Sequence, residues 1–180
     1  DGFFDRLDDL DQPEYRDITL GFYFRKQGTT EPCPMNSVRV QSQSETRDVY
    51  FYPNGEVLLP FDEQLDMDKA KLIIDKADGS ICGLDMRLET KAILKPEITK
   101  ADLTHYIQTF DLALDELGGM MSFLLPDVEG ITFLSNSKQT LLLSQSGVGR
   151  CDENGCSIRK SELDKIKGPI RFNYQPVKAV

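Results

Sequence analysis

The sequence predicts a mainly β, α+β protein: an antiparallel β-sandwich, followed by a helix packed on a small antiparallel sheet. Three observations carry that expectation. Apolar residues alternate with period two from Asp17 to about Thr90, one segment after Pro96 switches to helical spacing, and alternation returns near the C-terminus. The chain has 180 residues, 39% hydrophobic and 28% charged, which is an ordinary composition for a folded protein with a sizeable core.

Phe3, Phe4, Leu7 and Leu10 have helical spacing, with Asp5, Asp8, Asp9, Asp11 and Glu14 interleaved, so a short amphipathic helix is expected at the start. In the first strand Ile18, Leu20, Phe22 and Phe24 share one face, and Thr19, Gly21, Tyr23 and Arg25 the other. Val49–Tyr52 and Glu56–Leu59 flank Pro53-Asn54-Gly55, a tight hairpin turn. A second hairpin is expected at Asp78-Gly79, joining Leu72-Ile73-Ile74 to a strand in which Cys82, Leu84, Met86 and Leu88 alternate with Gly83, Asp85, Arg87 and Glu89. About six short strands in this span suggest the sandwich.

After Pro96, Thr99 and Asp102 resemble a capping box with Asp in place of Glu, and Leu103, Tyr106, Ile107, Phe110, Leu114 and Leu117 mark one helix face that Gly118-Gly119 ends. A short apolar segment then runs to Pro126. Strands are expected at Gly130–Leu134, Thr140–Ser144 and Ile170–Tyr174, with a short helix or 3₁₀ connector from Ser161 to Gly168. The expected division is a sandwich domain at 1–92, including the N-terminal helix, and a helix-plus-sheet domain at 93–180; the alternative is one continuous domain.

The four cysteines carry the clearest chemistry. Cys151 and Cys156 bracket Asp152-Glu153-Asn154-Gly155, which places the thiols opposite each other across a hairpin. A redox pair wants C-x-x-C spacing and a group that lowers the thiol pKa, whereas Asp152 and Glu153 raise it. A zinc site wants four Cys/His ligands, and Cys33, Cys82 and one histidine do not complete a set. Disulfides are the reading that remains. Four cysteines allow three pairings; locality favours Cys33–Cys82 with Cys151–Cys156, and an even count without metal logic points to an oxidising compartment.

Other chemistry is sparse. A net charge of -9 and a pI near 4.7 repel nucleic acid and anionic lipid. The longest apolar runs, such as Met120–Leu125, are far shorter than the roughly 20 residues of a membrane span. The chain begins at Asp1 with no methionine, charged n-region or h-region, so the expectation is that any signal peptide has been removed. His105 has Asp102 at i−3 and Thr109 at i+4, but it falls outside the apolar stripe and no nucleophile is placed near it. The acids near the N-terminus, and Asp62, Glu63, Asp66 and Asp68, do not fit a calcium loop. No catalytic, cofactor-binding or metal-binding residue is assigned, and no cofactor is called for.

Glu31-Pro32-Cys33-Pro34, Leu58-Leu59-Pro60-Phe61, Ile81–Met86, Leu124–Ile131 and the Cys151–Cys156 loop occur in an order that is similar to an uncharacterised family of secreted or periplasmic proteins from Gram-negative bacteria, a domain of unknown function. These motifs are turns, strands and cysteines, so the resemblance implies a scaffold and a location, and no activity. The functional expectation is a non-enzymatic periplasmic or secreted, envelope-associated protein that binds another envelope protein or a ligand. The alternative is a hydrolase whose site assembles from dispersed carboxylates or His105.

Overall fold

The computed structural model describes residues 10, 12–60, 63–91, 94–119, 126–135 and 139–180. The expected N-terminal helix, with Asp5, Asp8, Asp9 and Asp11, therefore lies outside the described residues, as does the apolar segment Met120–Leu125. The chain forms two compact units: Leu20–Arg87, and Leu10–Thr19 together with Leu88–Val180.

The first unit contains most of β1 (Ile18–Lys26), then β2 (Met35–Gln41), β3 (Thr46–Asp48), β4 (Glu56–Val57), the one-turn helix α1 (Glu63–Met67), β5 (Lys71–Lys76) and the greater part of β6 (Cys82–Thr90). Two three-stranded sheets result, in the orders β4-β1-β6 and β3-β2-β5, with β1–β4, β2–β3 and β2–β5 paired antiparallel. One apolar cluster serves both: Phe24 and Val57 from the first sheet, Val38 and Val40 from the second, Val49 and Leu65 from the connections, with Leu72 and Ile74 of β5 packed against it. Two sheets on one core make the expected sandwich.

β1 differs from a one-sided strand. Phe22 and Phe24 are buried, but so are Gly21 and Tyr23 on the opposite face. A strand in the middle of its sheet is covered more completely than alternation alone conveys.

The turn at Pro53-Asn54-Gly55 forms as its chemistry requires, but the strand expected at Val49–Tyr52 reduces to the single bridge Phe51 to Val57, and β4 takes β1 as its ladder partner. The Gly55 N–H donates to the Tyr52 carbonyl at 2.9 Å, the Tyr52 N–H donates to Glu56 O at 2.8 Å, and Gly55 takes φ +87°. The second expected hairpin does not form. Asp78 does turn the chain, accepting the Ser80 N–H at 2.8 Å, yet β5 pairs with β2 while β6 lies beside β1 in the other sheet. The connection at 77–81 is longer than the two-residue loops that lock a hairpin, and six-residue β5 matches seven-residue β2 as nine-residue β6 matches nine-residue β1.

In the second unit a 3₁₀ turn (Pro13–Tyr15) is followed along the chain by β7 (Glu97–Ile98), α2 (Lys100–Gly118), β8 (Gly130–Leu134), β9 (Arg150–Cys151), β10 (Gly155–Arg159), a 3₁₀ segment (Lys160–Lys165), β11 (Ile170–Arg171) and β12 (Lys178–Ala179). The main sheet runs β12-β8-β10-β9, and β7 pairs with β11. Helix α2 packs against β8 and the second 3₁₀ segment, burying Leu103, Ile107, Phe110 and Ala113. The helix thus packs on a small antiparallel sheet, as its apolar stripe requires.

The Thr140–Ser144 strand reduces to a single bridge, Leu143 to Phe172. Asn173 is the reason: its side-chain Oδ1 accepts the Leu142 N–H at 2.7 Å and the Tyr174 N–H at 3.1 Å, so a side chain replaces ladder carbonyls and strand Ile170–Tyr174 stops at Arg171.

The cap of α2 is complete. Thr99 Oγ1 accepts the Asp102 N–H at 3.1 Å, and Asp102 Oδ2 accepts the Thr99 N–H at 2.8 Å. The Thr99 hydroxyl, and then its N–H, hold the Asp102 carboxyl below the usual carboxylate range. A depressed folded value means the cap contributes fully above the unfolded pKa of about 3.9 and loses its contribution as pH falls through the lower folded value. Thr99→Ala is expected to cost about 1 kcal/mol at neutral pH and to flatten this acid limb, read from urea midpoints between neutral and acid pH. An unchanged acid limb would count against the coupling.

Candidate functional site

β6 places the feature most suited to recognition at the border of its sheet. In the order β4-β1-β6 it is an edge strand. An edge offers a row of backbone donors and acceptors to another chain. Its sequence then divides two chemistries between two faces.

On one face Cys82 is tied to the core by its bridge to Cys33, while Leu84 and Met86 are 43% and 42% exposed, preceded by Ile81 at 69%. On the other face Asp85 accepts from Arg87 Nε at 2.8 Å and stands 2.6 Å from Arg87 Nη2, with Arg25 Nε at 3.9 Å. Both guanidinium groups lie over the Tyr23 ring, their carbons 5.1 and 5.2 Å from its centroid. That arrangement gains cation–π attraction while keeping the charges at the border of the sheet. Burial first, and then the charge of Arg87, lower the Arg25 pKa; Asp85 and Tyr23 oppose the shift. The strand therefore presents exposed apolar side chains on one face and a held charged group on the other.

Of the residues singled out from sequence, Cys82 lies on β6 and the others fall elsewhere. Cys33–Cys82 and Cys151–Cys156 are both disulfides, with Cα separations of 5.8 and 4.0 Å, and no cysteine is free. Cys151 and Cys156 are direct partners across β9 and β10. Asp152 Oδ1 accepts the Asn154 and Gly155 N–H groups at 2.7 and 3.2 Å, which closes the loop. Gly155 is required by close approach, because a Cβ there would collide with the Phe133 carbonyl oxygen. Asp152, one of the two acids expected to oppose thiolate formation, also builds the turn.

His105 is on the outer face of α2, its side chain 59% exposed and its Nε2 3.9 Å from an Asp17 carboxylate oxygen. Thr109 Oγ1 donates to the His105 backbone carbonyl at 2.9 Å, and Asp102 is engaged in the cap, so neither flanking residue orients the imidazole. Glu14 lies in the 3₁₀ turn; Asp62 and the side chains of Glu63 and Asp66 lie outside the described residues; Asp68 follows α1. Among the described residues, no group of three or more His, Cys, Asp or Glu side chains converges in a way that could hold a metal ion. Also among the described residues, no helix is long and apolar enough to cross a membrane.

The grouping of Tyr23, Arg25, Asp85 and Arg87 was not anticipated. Alternation assigns each pair to one face of its own strand, but bringing the pairs together requires that β1 and β6 be neighbours, a long-range fact.

No curated protein and no solved structure matches the chain. A family model does match, over residues 1–134, and the description it carries assigns no activity. The chain accordingly belongs to the family described as Protein of unknown function (DUF2987).

Proposed function

We propose that this chain is a non-enzymatic protein of the Gram-negative periplasm, or one secreted from it, that binds another envelope protein along the edge of β6. The observation that carries the reading is the pair Leu84 and Met86, exposed side by side on an edge strand. A partner strand added there would take up main-chain hydrogen bonds and seat alternate side chains against these two residues. Two disulfides, with no free cysteine, support an oxidising compartment. The net charge of -9 favours a basic partner and a salt-sensitive encounter.

The test is capture from Gram-negative envelope extract at low and moderate salt, with the parent chain and with L84K/M86K. The expected result is a partner retained by the parent, weakened by salt, and lost from the variant while its circular dichroism and melting temperature hold. Equal capture by both, at equal stability, would remove the edge from the interface.

A further inference from the structure

At the far end of the other sheet a cleft of about 370 Å³ is lined by Gln41, Ser42, Gln43, Asp68, Lys69 and Lys71. Each of these side chains ends in an amide, hydroxyl or charged group, with the methylene stems of the longer ones between them. Asp68, the one acid in the lining, is already served by neutral donors: Gln64 Nε2 donates to Oδ1 at 2.8 Å and Ser44 Oγ to Oδ2 at 3.2 Å. Among the described residues neither Lys69 nor Lys71 has a salt-bridge partner. Two lysines thus line the cleft against the one charge of Asp68, in a chain of strongly negative net charge.

Lys69 adds an independent observation. It takes φ +49°, the left-handed conformation, just past the end of α1, where the Ala70 N–H donates to the Leu65 carbonyl at 2.9 Å and closes the helix. Glycine is the usual residue at that position because a Cβ is disfavoured there. Among the described residues it is the one non-glycine with positive φ. The chain accepts local strain and obtains a lysine in the cleft wall, and strain of this kind gathers at binding sites.

We infer that this cleft binds a tetrahedral oxyanion, a phosphate or sulfate group, held by Lys69 and Lys71 with the Gln41 and Gln43 amides as further donors. Lysines bind phosphate as point charges, and two lysines with two amide donors suit an anion that carries three or four acceptor oxygens better than one that carries two. The site lies on β2, β5 and the end of α1, so it stands independently of the β6 edge.

The experiment is a titration of the intact chain with inorganic phosphate, inorganic sulfate and acetate at ionic strength fixed with chloride, following backbone amide NMR shifts of residues 41–43 and 68–71. Saturable shifts with phosphate, sulfate or both are expected, and the stronger of the two identifies the source of the anion. Lys69→Gly should weaken that binding about fivefold while melting no lower than the parent, and Lys71→Gln should weaken it similarly. A lysine present only as a helix terminator would leave binding unchanged in Lys69→Gly. That result, the absence of a saturable shift with either tetrahedral anion, or an equal response to acetate would overturn the assignment.

Discussion

Replacing Cys33 and Cys82 together by serine is expected to destabilise the first unit by about 4 kcal/mol, against about 2 kcal/mol for the corresponding change at Cys151 and Cys156. The difference follows from loop length. The first bridge spans a sequence separation of 49 and the second of 5, and chain entropy removed from the unfolded state grows with the closed loop. Position does not separate the two, since each bridge joins one buried cysteine, Cys33 or Cys156, to a partly exposed one, Cys82 or Cys151. A serine hydroxyl at either buried position would need a hydrogen-bond partner, so the expected difference rests on loop length. Urea unfolding of the two double-serine variants, followed by far-UV circular dichroism, makes the comparison. Equal midpoints would mean that the unfolded chain is already restricted between residues 33 and 82, and the loop-length account would fail.

Lys178→Met is expected to cost about 3 kcal/mol, with much of that recovered when Glu89→Gln is added. Lys178 Nζ stands 2.8 Å from Glu89 Oε1, and the glutamate side chain is only 5% exposed. Removing the lysine leaves a buried carboxylate short of this cationic partner, and the desolvation it suffered on folding loses a large part of its compensation. The estimate sits at the low end for buried pairs because Lys178 keeps 21% exposure. The pair also joins distant parts of the chain: Lys178 is in β12 and Glu89 is the penultimate residue of β6, where the next residue, Thr90, accepts the Ala179 N–H at 3.0 Å. A double-mutant cycle in urea measures the coupling. A Lys178→Met variant within about 0.5 kcal/mol of the parent would show that the ion pair contributes little.

Much of the fold was legible because its signals are local. The apolar stripe of Leu103, Ile107 and Phe110 set α2, and the Thr99–Asp102 cap and Gly119 set its ends. Pro53-Asn54-Gly55 specified a tight turn, since Gly55 alone of the three needs the left-handed region. Alternation located β1, β6 and β8 but did not single out β2, and locality favoured the Cys33–Cys82 and Cys151–Cys156 pairing that forms. Each of these is a statement about a few neighbouring residues, where spacing and backbone sterics decide the outcome.

What the tertiary structure decided is which elements meet. Asp78 made its turn, yet β5 and β6 went to different sheets, because strand pairing depends on matched length and shared burial as well as on the turn between strands. Asn173 displaced ladder hydrogen bonds at Leu142, which no alternation pattern could reveal. The candidate sites belong to this second class. Tyr23 with Arg25 and Asp85 with Arg87 are unremarkable pairs until β1 and β6 lie side by side, and Lys69 is one lysine among many until its φ and the cleft beside Gln41 are known. Sequence determined the elements, since local sterics and periodicity act within a few residues; the edge and the cleft arise from contacts between residues dozens of positions apart, which only the folded chain selects.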